Sequence, residues 1–241
     1  LVLGASLKSI SYEFIDFCER RFKEDEGQFQ TVELEKLDVK FKKRQLSGTV
    51  FYQYKISPNG QYAAFVSNQM GQCKIWLYDI EKKKLRRIAK GGVKINRIND
   101  YSQPVLGWHP NSSALSYIEE RKGNLNFCIY EIESKKTAKR PLQRLEKVLS
   151  YDYSDDGKTI VFSAVNMGQT DLFLFKPLSN NIEQLTNDIY DDMHPKFIRK
   201  DREVVFASNR PNDSTERKIS IKPLDNNNKD IYTITLSGNY K

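Results

Sequence analysis

The chain is poor in the residues on which most hydrolytic and metal chemistry depends. Of its 241 residues, two are histidine, His109 and His194, and three are cysteine, Cys18, Cys73 and Cys128. Neither histidine is followed by glutamate, so the His-Glu-x-x-His pattern that sets two imidazoles one helical turn apart on zinc is missing. The cysteines lie far apart and include no Cys-x-x-Cys, which excludes a local zinc ribbon and a dense disulfide framework. One disulfide beside one free thiol stays open. Cys73 and Cys128 adjoin apolar strand patterns and read as buried small hydrophobes. There is no Gly-x-Ser-x-Gly elbow to expose a nucleophile, no phosphate loop and no dinucleotide fingerprint. The reading is therefore of no catalytic residue, no metal site and no cofactor within this chain. No run of 18 apolar residues exists, so no helix spans a membrane. The opening Leu1-Val2-Leu3-Gly4 lacks the basic and apolar regions of a signal peptide and reads as the continuation of a longer chain.

What the chain has is basic charge and aromatic rings. Its formal net charge is +8, which favours acidic partners. Much of the excess sits in Lys40–Arg44 and in Lys82–Lys94, and neither segment interleaves aromatics with basics as nucleic-acid readers do, so no specific nucleic-acid role is expected. Thirteen Tyr and thirteen Phe suit half-buried strands and argue against disorder.

A repeat organises most of the chain. Ser57-Pro58-Asn59-Gly60-Gln61-Tyr62-Ala63-Ala64-Phe65 matches Ser154-Asp155-Asp156-Gly157-Lys158-Thr159-Ile160-Val161-Phe162 position by position. A worn copy begins at His109-Pro110-Asn111-Ser112, and a fourth at Ile198-Arg199-Lys200-Asp201. The starts fall 52, 45 and 44 residues apart. Pro58 presets φ, and Gly60 and Gly157 supply a left-handed residue, so each box is a tight turn into a strand. Asp201 replaces that Gly in the fourth copy, which predicts a strained turn or one of another type. After each box comes a second apolar strand (Lys74–Ile80, Asn126–Ile132, Asp171–Leu178, Lys218–Leu224). A weaker outer strand follows (Lys84–Ile88, Ala138–Leu142, Ile182–Leu185, Ile231–Thr235), and a short strand precedes each box.

Four short antiparallel strands form a twisted sheet that exposes two faces and two edges when alone. Stacking such sheets face to face around an axis buries the faces. The fold predicted is all-β: a β-propeller of four-stranded antiparallel blades, about four of them visible, in an incomplete or open ring. The outermost strand of each blade is a solvent-facing edge, and the basic run from Lys82 fits that place because charge on an edge resists edge-to-edge pairing.

The head of the chain differs. Leu7, Ile10, Phe14, Phe17 and Phe22 recur every three to five residues opposite Lys8, Glu13, Asp16, Glu19, Arg20 and Lys23, the pattern of an amphipathic helix. The organisation expected is residues 1–27 as the helical tail of an upstream domain, 28–47 as a linker, and 48–241 as propeller blades.

The boxes at Ser57–Phe65 and Ser154–Phe162 resemble the TolB-like (WD40-like) propeller repeat, with its Ser-Pro-Asp-Gly-Lys-x-Ile-x-Phe turn and strand. Leu185-Thr186-Asn187-Asp188 looks like the end of such a blade. The likeness covers residues 48–235; His109, Ser112, Ser113 and the lost Gly of the fourth copy depart from it. It implies a non-enzymatic scaffold for protein partners in a bacterial cell-envelope complex, periplasmic or associated with the outer membrane through those partners. The arrangement is also similar to envelope proteins in which a gluzincin-type peptidase-like domain precedes the propeller. That would make this chain an accessory, substrate-gating module of a peptidase. A lyase-type propeller with a small-molecule site in its channel is a third reading.

The connections from an outer strand to the next inner strand should lie on one rim, and recognition usually sits on loops held by a rigid scaffold. The residues expected to meet a partner are Lys94, Asn96, Arg97, Asn99 and Tyr101 in the first such loop, and Asp188, Tyr190, Asp191, Asp192 and His194 in the second. The carboxylates of the second loop, with Asn187, have the density of a Ca²⁺ site but lack the EF-hand order and its Gly.

Overall fold

The computed structural model describes residues 4, 6–26, 48–93, 100–210, 221–223 and 231–235. Among the described residues one helix, α1 (Leu7–Glu26), precedes sixteen strands. The helix belongs to a unit of its own. Ser6 caps it, its Oγ accepting from the Ser9 amide at 3.1 Å, and Arg20 pairs with Asp16 one turn back at 2.6 Å. Tyr12, Phe14, Ile15, Phe17 and Phe22 are all exposed.

The second unit is made of four sheets of four strands. The first blade is β1 (Thr49–Ile56), β2 (Tyr62–Gln69), β3 (Gln72–Asp79) and β4 (Lys84–Gly91). The second is β5 (Leu106–Trp108), β6 (Ala114–Arg121), β7 (Asn124–Glu131) and β8 (Thr137–Pro141). The third is β9 (Lys147–Tyr153), β10 (Ile160–Asn166), β11 (Gln169–Lys176) and β12 (Asn181–Gln184). In all three the spatial order follows the chain and every pairing is antiparallel. The innermost strands are neighbours, β1 beside β5, β5 beside β9 and β9 beside β13 (Asp192–Ile198). The four sheets form an open arc of propeller blades.

The fourth blade corrects one expectation. It comprises β13, β14 (Glu203–Ser208), β15 (Ile221–Pro223) and β16 (Ile231–Thr235), but its order is β13-β14-β16-β15. Ile231–Thr235 was expected at the outer edge and instead lies beside β14, while Ile221–Pro223 takes the edge. Position along the chain assigns those two strands, and the backbone pairing reverses them. Tyr232 and Ile234 carry large apolar side chains at period two and fill the inner place.

Period two explains the core. Along β10, Ile160, Phe162 and Ala164 face the second blade, while Val161 faces the fourth. Along β11, Phe173 and Phe175 point one way, Leu172 and Leu174 the other. β7 does the same one blade earlier: Leu125 and Phe127 meet the third blade, Cys128 and Tyr130 the first. Central strands are thus apolar on both faces, and each seam between blades is a core of its own. Phe127, Phe162 and Phe175 meet with ring centroids 5.4–5.8 Å apart. Each fully buried ring contributes about 1.5–3 kcal/mol. Cys128 is one of these core residues, and burial pushes its thiol up to about 11. All three cysteines are free thiols.

Candidate interaction rim

The two ends of the arc are built differently. At one end stand the four box turns. Gly60, Ser112 and Gly157 donate their amides to the carbonyls of Ser57, His109 and Ser154 at 2.8–2.9 Å, so the worn second copy makes the same turn. Ser112 does so with φ 63°, a left-handed conformation that a residue with a Cβ adopts at a cost. The fourth turn is of another kind, as Asp201 predicted: Arg199, Lys200 and Asp201 are all left-handed.

The departures from the repeat are where the blades grip one another. Ser112 Oγ accepts the Asn59 amide of the preceding blade at 3.0 Å. Asp201 accepts the Asp155 amide of the preceding blade at 2.9 Å. His109 lays its ring over Gly157, where a Cβ would stand 2.1 Å from its Nε2, and meets the Tyr153 ring edge-on at 5.5 Å.

The opposite end carries the connections between blades. Between the first and second blades it opens into a cavity of about 440 Å³. Ile75, Ala89, Pro104, Ile118 and Leu125 give it apolar walls, and Asp100, Glu119, Glu120 and Glu146 stand with Lys90 and Lys147 around them. The connection at 100–105, which leads into the second blade, is tied to the first and third blades. Tyr52 donates to the Gln103 carbonyl at 2.6 Å, Gln53 to Ser102 at 3.2 Å, and Gln103 Nε2 to the Val148 carbonyl at 2.8 Å. Lys147 reaches Asp100 at 2.7 Å. With the Ser102 amide and hydroxyl, it holds the Asp100 carboxyl down at about 2. Glu119 is engaged by Lys139. Cys73, on the wall, lies 3.4 Å from both Tyr52 Oη and Asn68 Nδ2.

Between the third and fourth blades the same end holds a buried arginine. Arg210, 8% exposed, follows β14 and turns inward. Its guanidinium bonds both oxygens of Asp192 at 2.7 and 2.9 Å, Asp188 at 2.6 Å and Ser208 Oγ at 3.1 Å. The rings of Tyr190, Phe206 and Tyr232 lie 5.6–5.9 Å from it. Burial pushes the Asp192 carboxyl up, and the bidentate contact with Arg210 pulls it back only in part. Burial works against the guanidinium, yet Asp192 and Asp188 hold it above its ordinary value. Behind this knot lies Asp171, also buried, accepting from Thr186 and Gln184. Its desolvation brings the carboxyl up to about 6.

The structure sorts the expected partner-binding residues. Lys94, Asn96, Arg97 and Asn99 lie outside the described residues. Tyr101 is exposed beside the cavity, its ring 5.4 Å from that of Tyr52. Asp188, Tyr190, Asp191, Asp192 and His194 lie at the same end of the arc, two seams away from Tyr101. Asp192 is wholly buried and cannot meet a partner; its work is to hold Arg210. Asp188 is half-buried and serves the same cation, and a guanidinium fills the place a Ca²⁺ reading would give to metal. His194 is exposed with φ 55° at an irregularity in β13, and Gln53 has φ 56° at the matching irregularity in β1. Asp191 donates its amide to Asn209. Among the described residues no group of three or more His, Cys, Asp or Glu is placed to hold a metal ion. Arg210 itself escaped the sequence reading. Its only signal there is a lone cation just past an apolar strand, with two carboxylates in the connection before it.

Comparison with known proteins places this architecture. Over 66% of this chain and 38% of the other, it superimposes on TolB from Acinetobacter baumannii with a TM-score of 0.51 at 17% identity. The chain folds as a TolB-like β-propeller. A stretch of 59 residues is 32% identical to the Tol-Pal system protein TolB of Helicobacter hepaticus, covering 24% of this chain and 14% of that protein. The propeller is also similar to the β-propeller domain of the trilobed protease from Pyrococcus furiosus, described as having an open velcro topology. That match has a TM-score of 0.51 at 11% identity, over 79% of this chain and 56% of the other. This propeller thus spans well under two thirds of the length of each of these proteins. No family model matches it.

Proposed function

We propose that this propeller is a non-enzymatic scaffold that holds a protein partner against the connection end of its blades, within a bacterial cell-envelope complex in the periplasm. The observation that carries the reading is the cavity between the first and second blades. Its apolar walls lie beside charges of both signs, on a connection fixed to the first and third blades. Such a surface is pre-organised, so a partner binds without ordering it first. The envelope assignment follows the similarity to the Tol-Pal system protein TolB of Helicobacter hepaticus and to Acinetobacter TolB. No helix among the described residues is long and apolar enough to cross a membrane, and attachment to the outer membrane would be through partners.

The test is co-purification from envelope extracts with charge reversals at Glu120 and, in the expected basic loop, at Arg97. Loss of the co-purifying protein with an unchanged unfolding transition supports the rim. Unchanged capture by both variants, and by an Asp191→Lys variant, removes this end of the arc from consideration.

A second reading rests on the similarity to the propeller of the trilobed protease: an accessory module that gates substrate for a peptidase domain elsewhere. A gluzincin-type domain joined to this propeller in one polypeptide would favour it.

A further inference from the structure

The outer strands of the blades are unequal. β4 has eight residues, against five in β8 and four in β12. The neighbouring blade engages the edge of β8: Arg140 donates to the Pro177 carbonyl at 2.9 Å, and Asn180 donates to the Pro141 carbonyl at 3.3 Å. Pro141 also ends the run of amides β8 can offer. Within its sheet β4 has β3 on one side and, among the described residues, no strand on the other. It therefore presents a row of backbone amides and carbonyls, a template for one more strand.

The charge on that edge is of one sign. Lys82, Lys83, Lys84, Arg86, Arg87 and Lys90 fall within nine residues that contain no carboxylate. The nearby Asp79 is drawn on by Lys82, whose amide it accepts at 2.9 Å and whose ammonium stands 3.5 Å away. Lys84, Arg87 and Lys90 are exposed, while Arg86 is held over the Tyr130 ring at 5.8 Å and stiffens the strand. A second copy of this strand is a poor occupant, because antiparallel pairing would set one basic row against another. Those charges exclude self-pairing and select an oppositely charged strand.

We propose that β4 is a strand-addition site for an extended acidic segment of a partner protein. The segment would add a fifth strand to the first blade, with main-chain hydrogen bonds giving affinity and carboxylates meeting Arg87 and Lys90 on one face of the strand and Lys84 on the other. This surface is the outer flank of the first blade; Lys84 and Arg87 are not among the residues that line the rim cavity, and Lys90 belongs to both.

The probe is a fluorescent peptide of about eight residues alternating Glu with Val and Thr, titrated into the full chain at low and moderate salt. Saturable binding and slowed amide exchange along Lys84–Gly91 are expected. N-methylation of alternate peptide bonds keeps every charge and removes the strand's donors, and it should weaken binding about tenfold or more. The double variant Lys84→Glu/Arg87→Glu should weaken the acidic peptide by a similar factor and bind the Lys counterpart in its place. Equal binding of the N-methylated peptide, or of a single-stranded oligonucleotide of the same charge, would overturn the proposal and leave a general polyanion surface. No binding of the acidic peptide at low salt would also overturn it.

Discussion

The seam between the first and second blades and the seam between the third and fourth are built from the same repeat, yet one is open at the connection end and the other is locked by a buried cation. In the first, the ionic contacts are carried by side chains still in water: Lys147 with Asp100, Lys139 with Glu119. Such pairs hold each other in place and add little stability, in the range of about 0–1 kcal/mol each. In the other, Arg210 and Asp192 are both out of water, so each depends on the other. A repeat sets the backbone of a blade, and a few side chains decide whether a seam is a binding surface or a bolt.

The most severe way to break the contrast is to remove the bolt. Arg210→Ala strands the Asp192 charge among Phe206, Tyr190 and Tyr232, and it should cost about 3–5 kcal/mol in denaturant unfolding. Asp192→Asn in the same background should recover part of that loss. Next comes the box-turn end. Gly157→Ala puts a Cβ on a left-handed residue and into the His109 ring, at an expected cost of about 1–3 kcal/mol; combining it with His109→Ala should relieve the ring clash and leave the backbone term.

The third prediction has the opposite sign. Asp171 has a folded value near 6, raised above its ordinary 3.8 by burial. Its favourable contribution is therefore complete below about 3.8 and is lost as pH rises through about 6. Asp171→Asn should stabilise the protein by about 1–3 kcal/mol above pH 6. It should also flatten the stability profile between pH 4 and 6 in thermal melts. The smallest effect sharpens the first seam. Ser112→Gly exchanges a hydrogen bond to Asn59 for relief of a left-handed serine. The two terms are each about 1 kcal/mol and should nearly cancel, whereas Ser112→Ala loses the bond and keeps the strain.

The repeat was legible because turn chemistry and period two are local. The starts at 57, 109 and 154 each open a turn of the same hydrogen-bonding pattern, and the strands around them follow in chain order. The fourth blade was misread past β14. There the copy loses its Gly, and two short apolar segments follow β14, of which the later one, with Tyr232 and Ile234 packed against the third blade, takes the place beside it. The knot was illegible for the same reason. Asp188 and Asp192 read as loop residues open to a partner, and nothing near them in sequence shows that a cation 18 and 22 residues later folds back onto both. The cavity, lying between blades, has no sequence signature of its own.

The grips at the box-turn end make the order of the blades matter. A tandem array of like units could in principle be cut and rejoined in any sequence. Here the first blade offers an amide that a hydroxyl at the fourth box position receives, and the second offers an imidazole that fits over a bare backbone at that position. Exchanging the second and third blades would set Gly157 before the Asn59 amide with nothing to accept it, and return no ring for the next turn to hold. The molecule is periodic in backbone and aperiodic at its joints, so each blade is addressed to one neighbour.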